Sequence, residues 1–153
     1  MHHYELIPGK GIRFGEIEIF FNKQRTELRA ELGFDKKENE GIFDDEDEYG
    51  IDGEDGILLR FLGNKLCDIE VHGGSLVYDD IELKATDIRK LQDALHNSGI
   101  AISEESEWLS EGRDCIDLQI VVATAGDADQ VENDNYDRIA WVATSVDFKV
   151  EDA

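Results

Sequence analysis

Two stretches of the chain alternate apolar and acidic residues in the same way, Ile17-Glu18-Ile19 and Ile81-Glu82-Leu83. Alternation with a period of two residues predicts a half-buried strand. Each stretch leads into a segment of helical periodicity that ends at a glycine. We interpret these strand–helix units as an internal duplication, with halves of roughly residues 15–78 and 79–150.

The two helices are predicted from their caps and their apolar faces. The first should run over about Lys23–Leu32 after Asn22, and the second over about Asp87–Asn97 after Thr86, because Asn and Thr oxygens accept from free helical N–H groups. One face of the second helix is apolar: Ile88, Leu91 and Leu95. The charged residues of the first helix are assigned to solvent: Lys23, Arg25, Glu27, Arg29 and Glu31.

The remaining apolar runs predict strands. Gly63-Asn64 and Gly73-Gly74 can supply the positive φ angles of two-residue hairpins, so the three strands that they separate should form an antiparallel meander. A long strand is predicted over Cys115–Thr124. The last strand is predicted over Ile139–Val150, with a bulge or break near Thr144, where the apolar phase slips.

Length and element order together predict the fold class. A chain of 153 residues with 41% hydrophobic residues has the size of a single domain, residues 1–153, that can bury its own core. We expect an α+β fold, in which a single antiparallel sheet carries two helices on one face in two related halves.

The charge of the chain limits its partners. The formal net charge is −22, from 37 acidic and 15 basic residues. Such a surface repels nucleic acid and anionic membranes and attracts basic proteins. Solubility and adaptation to high salt are alternative explanations of the same charge. The chain has neither a membrane-length apolar run nor a secretory signal pattern, so we expect a cytoplasmic protein.

The acidic residues are densest between the first helix and the strands that follow. Five consecutive carboxylates repel one another, so residues 35–56 are predicted to form a solvated loop, with Tyr49 as an apolar anchor inside a charged rim. The candidate partner-binding residues are Asp44, Asp45, Glu46, Asp47, Glu48, Tyr49, Asp52, Glu54 and Asp55. A second acidic loop, Asp127–Asp137, is the alternative contact.

No catalytic or metal motif is present in the sequence. A calcium-binding loop starting at Asp45 would have Gly56 where a bidentate glutamate is needed. The four histidines are scattered, and no phosphate-binding loop or nucleophile elbow occurs. Cys67 and Cys115 lie in apolar runs and are expected to be buried thiols. We expect no enzyme activity, no cofactor and no metal.

Short motifs give the chain a family resemblance. They are Pro8-Gly9-x-Gly11-Ile12, Phe14-Gly15-x-Ile17, Leu32-Gly33, Tyr49-Gly50-Ile51 and Ile81-x-Leu83 before Gly99. With these motifs the chain resembles small bacterial immunity proteins that accompany polymorphic toxins, and its strand–helix unit is similar to the repeat of the β-lactamase inhibitory protein fold.

The resemblance implies a non-enzymatic inhibitor that binds its cognate protein toxin, with no catalytic residue to transfer. A basic nuclease is the toxin class that the charge favours, because a cleft that holds phosphates presents lysine and arginine, and an acidic surface can occupy them. The alternative is an acidic adaptor or chaperone-like module without a toxin partner. The oligomeric state is left open.

Overall fold

The computed structural model describes residues 3–32, 36–37, 45–50, 56–107, 109, 111–127 and 136–148. In chain order its strands are β1 (His3–Ile7), β2 (Gly11–Phe14), β3 (Ile17–Phe20), β4 (Lys36–Lys37), β5 (Glu46–Tyr49), β6 (Ile57–Leu62), β7 (Lys65–Val71), β8 (Ser75–Tyr78), β9 (Ile81–Glu82), β10 (Arg113–Cys115), β11 (Ile120–Thr124) and β12 (Ile139–Ser145). Its helices are α1 (Arg25–Leu32), between β3 and β4, and α2 (Ile88–Asn97), between β9 and β10. The described chain is therefore mostly β, and its strands form two sheets. The prediction of a single sheet with two helices on one face is wrong.

The small sheet has the strand order β3-β2-β1-β8-β9. All its neighbours are antiparallel except β1 and β8, which run parallel. The predicted meander through Gly73-Gly74 is therefore wrong. The chain does turn there, but β8 leaves the sheet of β6 and β7 and pairs with β1 instead.

The large sheet is antiparallel throughout and has the strand order β10-β11-β12-β7-β6-β5-β4. The pairing of β7 with β12 joins strands β4–β7 to strands β10–β12 in one sheet. A hairpin of the small sheet directly precedes each helix: β2–β3 precedes α1, and β8–β9 precedes α2. The internal duplication stays a prediction.

The strand predicted over Cys115–Thr124 is wrong in its middle. Ile116–Leu118 form a 3-10 turn, Gln119 has a left-handed backbone with φ 55°, and β10 and β11 pair as a hairpin around it. The turn buries Leu118, so it satisfies the same apolar alternation as a strand would. The break in the last strand is confirmed, because β12 ends at Ser145.

The second helix agrees with the prediction, and its apolar residues Ile88, Leu91 and Leu95 are buried. Its N-cap is Asp87 rather than Thr86, and the Asp87 carboxylate accepts from the Arg89 backbone N–H. The first helix starts at Arg25. Asn22 is not its cap, because the Asn22 backbone has φ 70° and its N–H donates to the Leu66 carbonyl of β7.

One buried cluster draws side chains from both sheets and both helices and forms the main core. A smaller apolar cluster lies on the opposite face of the large sheet, which we call the outer face: Val121, Ala123, Ala140, Trp141 and Ala143, with Leu109 and Phe148 packed against it. The buried Asp114 carboxylate holds the loop that carries Leu109, since it accepts from Ser106 Oγ and the Glu107 N–H. No helix among the described residues is long and apolar enough to cross a membrane.

Candidate functional site

The structure places the predicted partner-binding residues in different environments. Asp44, Asp52, Glu54 and Asp55 lie outside the described residues, and Asp45 is exposed in a turn. The other four form β5 and pair with β6, so the prediction of a solvated loop is wrong for Glu46–Tyr49. Of the alternative contact, residues 128–135 lie outside the described residues. The Asp127 carboxylate accepts from the Thr124 N–H.

Asp47 points into the protein, where it binds two arginines of α1. Its side chain is fully buried and accepts from Arg29 Nε and Nη2 at 2.8 and 2.7 Å and from Arg25 Nη2 at 2.8 Å. Burial alone would raise the pKa of Asp47, but the hydrogen bonds and charges of Arg29 and Arg25 outweigh it and lower the pKa to about 2. The solvent position predicted for Arg25 is therefore wrong, because its side chain is mostly buried. Arg29 is exposed as predicted, although Asp47 also binds it. Asp47 is committed to internal partners.

Tyr49 also faces inward and belongs to the main core, with 5% of its surface exposed. Its hydroxyl is buried and has no hydrogen-bond partner among the described residues. Burial and the charge of Asp47 raise the pKa of Tyr49 to about 12. The ring is thus not an exposed anchor at a charged rim.

On the outer face, β5, β6 and β7 bring Glu46, Arg60 and Asp68 into one row of paired positions. Arg60 Nη2 donates to Glu46 Oε2 at 2.6 Å, and Arg60 Nη1 donates to Asp68 Oδ2 at 3.1 Å. Burial opposes the charge of Arg60, but these hydrogen bonds outweigh it and raise the pKa of Arg60. The guanidinium is therefore charged and is shared between two carboxylates.

Glu70 is the next residue on β7 that points to the outer face, and its polar contacts differ from those of Asp68. Its direct cross-strand neighbours are Leu58 and Ala143, which offer no side-chain donor. The Glu70 carboxylate lies 3.9 Å from Arg60 Nη2 and 3.9 Å from His72 Nε2, and it forms no hydrogen bond within the described part of the chain. Its side chain is 25% exposed. Within the described part of the chain, Glu70 is thus a largely buried carboxylate without a hydrogen-bond donor.

The pKa shifts of Glu70 and His72 both follow mainly from burial of the side chains. Burial raises the pKa of Glu70, and the charge of Arg60 offsets this only in part. Burial, with a contribution from the charge of Lys84, lowers the pKa of His72. His72 therefore carries less positive charge beside Glu70 than an exposed histidine would.

These residues line a cleft on the outer face with a volume of about 270 Å³. Its lining residues are Arg60, Asp68, Ile69, Glu70, Leu109, Glu111, Trp141, Ala143 and Thr144. Three carboxylates and a single guanidinium line the cleft, together with Leu109, Trp141 and Ala143 of the small apolar cluster. The volume is below the roughly 300–1,000 Å³ typical of small-molecule pockets, so the cleft suits a single side chain better than a cofactor.

A second hollow, of about 420 Å³, lies on the small sheet. Its lining includes Glu5, Arg13, Asp79 and Asp80. The side chain of Glu5 is 57% exposed, and Arg13 already lies 3.6 Å from it. Ion pairs with such exposed side chains contribute little binding free energy, so this hollow is the weaker candidate for a partner-binding site. Among the described residues, no His, Cys, Asp or Glu group is arranged to hold a metal ion.

Sequence reasoning did not find Arg60, Asp68, Glu70 or Trp141. The available signal was the alternation Asp68-x-Glu70, which places two acids on one face of a strand whose other face is apolar. Trp141 gave no such signal, because it joins Glu70 only through the pairing of β7 with β12.

Comparisons with protein-family models, with curated proteins and with solved structures found no match. The resemblance to immunity proteins is neither supported nor contradicted by these comparisons. Function is therefore inferred from the cleft and from the charge of the chain.

Proposed function

We propose that this chain is a non-catalytic inhibitor that binds and neutralises a basic protein toxin, as immunity proteins do, with a nuclease as the toxin class. The outer face of the large sheet is the contact surface. The observation that carries the proposal is the cleft itself, where a largely buried Glu70, which has no hydrogen-bond donor among the described residues, lies next to apolar side chains.

The physical case combines steering with anchoring. A net charge of −22 draws a basic protein toward the chain over a long range and raises the association rate. Once the partner is bound, most of the affinity comes from a few desolvated contacts in well-packed pockets. The cleft supplies both an apolar wall and carboxylates, so it suits a cationic surface.

The test uses a candidate toxin domain that is sought among the products of the genes next to that of this chain. Purified chain is titrated into the toxin, and residual nuclease activity is measured together with surface plasmon resonance at about 50 and about 500 mM salt. We expect stoichiometric inhibition and an association rate that falls at high salt. Asp68→Asn with Glu70→Gln should weaken binding. Glu16→Gln with Asp93→Asn is the matched control, because it removes the same charge from exposed positions.

Two results would contradict the proposal. If the neighbouring toxin domain keeps its full activity in excess chain, the protein is not its inhibitor. If the chain binds unrelated basic proteins such as lysozyme equally well, and the cleft variant and the control variant weaken binding alike, an acidic adaptor or chaperone-like module is the better description.

A further inference from the structure

We propose that the cleft on the outer face receives one arginine side chain of the basic partner. The inference rests on the proposed function and deepens it, because it names the group that is bound and its position. The guanidinium contacts Glu70, and the aliphatic part of the side chain lies along the wall formed by Trp141 and Leu109.

The first reason is the state of Glu70. A carboxylate that is three-quarters buried normally accepts several hydrogen bonds, because burying a charged group without partners is costly. Glu70 accepts none within the described chain, and Arg60 Nη2 and His72 Nε2 each lie 3.9 Å from its carboxylate. A hydrogen bond from a partner's donor would therefore contribute more binding free energy at Glu70 than at the exposed acids elsewhere on the surface.

The second reason is the match between guanidinium and this face. Arg60 already shows how a guanidinium binds here, since it bridges Glu46 and Asp68 on neighbouring strands. A planar fork with several donors can reach carboxylates that lie apart, whereas an ammonium acts as a point charge. The carboxylates do not converge on one point as metal ligands do, at least among the described residues.

The third reason is the shape of the cleft. Ala143 pairs directly with Glu70 across β7 and β12, and its small side chain leaves room beside the carboxylate. Trp141 and Leu109 border this space and offer apolar surface to the methylene groups of a long side chain. A larger residue at position 143 should fill the cleft without changing any charge.

The experiment uses a small probe, so that it does not depend on the toxin. Nα-acetyl-arginine amide is titrated into the ¹⁵N-labelled full chain, and Nα-acetyl-citrulline amide serves as the neutral isostere. A Trp108→Phe background assigns the indole signal to Trp141. We expect saturable shifts at Asp68–Glu70, Ala143 and the Trp141 indole, and an affinity for the citrulline probe that is lower by about tenfold or more.

Variants then separate the cleft from general acidity. Glu70→Gln should weaken arginine binding about tenfold, and Ala143→Leu should abolish it. The control Glu16→Gln with Asp93→Asn should stay within about twofold of wild type, because exposed charges are screened. Thermal melts check that each variant is folded.

The outcomes distinguish this inference from the proposed function. Equal binding of both probes, arginine binding that survives in a folded Ala143→Leu variant, or shifts spread over exposed acids would overturn the inference. If the toxin is still inhibited by Ala143→Leu, the proposed function holds and the partner is bound elsewhere. If arginine binds in the cleft but no toxin is inhibited, the site holds and the proposed function fails.

Discussion

Asp47→Asn is the substitution whose effect follows most directly from the structure. Asn has nearly the shape of Asp, but it removes the charge that faces Arg25 and Arg29. The carboxylate is fully buried and ties β5 to α1 through hydrogen bonds of 2.7 to 2.8 Å. The variant therefore removes the charge that Asp47 supplies to two guanidinium groups, and breaking a buried ion pair is strongly destabilising.

The magnitude can be estimated in two ways. The pKa of Asp47 is lowered from 3.8 to about 2, which corresponds to about 2.5 kcal/mol of stability. Removing one partner of a buried pair costs about 3–5 kcal/mol. Arg29 is 42% exposed and can regain water in the variant, so the lower end applies. We expect Asp47→Asn to lower the free energy of unfolding by about 3 kcal/mol.

The assay is urea unfolding from about pH 2 to about pH 7, with Glu48→Gln as the control. Glu48 is the next residue on β5, is half-buried and faces the opposite way, so its neutralisation should change stability by less than about 0.5 kcal/mol. Because the folded pKa of Asp47 lies below the unfolded value, its stabilisation is complete above about pH 4 and is lost as the pH falls toward 2.

The difference between wild type and Asp47→Asn should therefore shrink over that range, although many other carboxylates titrate in both proteins. A cost for Asp47→Asn no larger than that for Glu48→Gln would refute the internal role of Asp47. A difference that stays constant between about pH 4 and pH 2 would refute its lowered pKa.

Three further predictions concern other sites. In urea unfolding, Tyr49→Phe should leave stability unchanged or raise it by up to about 1 kcal/mol, because it removes a buried hydroxyl that has no partner among the described residues. Tyr49→Ala should instead lower stability by about 3–5 kcal/mol. Asp80→Gly should raise the melting temperature, with a gain of about 0.5–1 kcal/mol, because Asp80 has a left-handed φ of 67° in the β8–β9 turn; an unchanged melting temperature would contradict this. Lys84 donates to the Ile139 and Ala140 carbonyls, and burial and the charge of Arg138 lower the pKa of Lys84 to about 8. In urea unfolding between pH 8 and 10.5, the unfolding free energy of wild type should therefore rise by up to about 3 kcal/mol relative to that of Lys84→Met. A difference between the two proteins that does not change with pH would contradict this.

Local patterns were sufficient to predict α2. Its apolar residues recur at helical spacing, and Gly99, with φ 77°, ends the helix as the pattern indicated. They were not sufficient for the acidic run. The mutual repulsion of its carboxylates favoured a loop, but two arginines one helical turn apart on α1 provide charges that stabilise β5, and their contact with Asp47 spans 18 and 22 residues of sequence.

The sheet to which each strand belongs was also beyond local reasoning. The turn at Gly73-Gly74 correctly separated β7 from β8, but it did not show that β8 pairs with β1, near the start of the sequence. The cleft depends on the same kind of information. Glu70 and Ala143 face each other because β7 pairs with β12, a contact between distant segments that no turn signal specifies.

The alternation of β5 points its four candidate partner-binding residues alternately to the two faces of the large sheet. Asp47 and Tyr49 point into the core, and there they hold the sheet and α1 together. Glu46 and Glu48 point to the outer face, and Glu48 shares a cross-strand row with Leu58 and Glu70, about 10 Å from the cleft carboxylate across two strand spacings. Under the proposed function, charge at Glu48 would steer a basic partner toward the cleft, whereas charge at Asp47 supports the fold and is buried away from any partner. A single acidic run thus serves both stability and the electrostatics of the outer face, and the pleat of one strand decides which residue serves which.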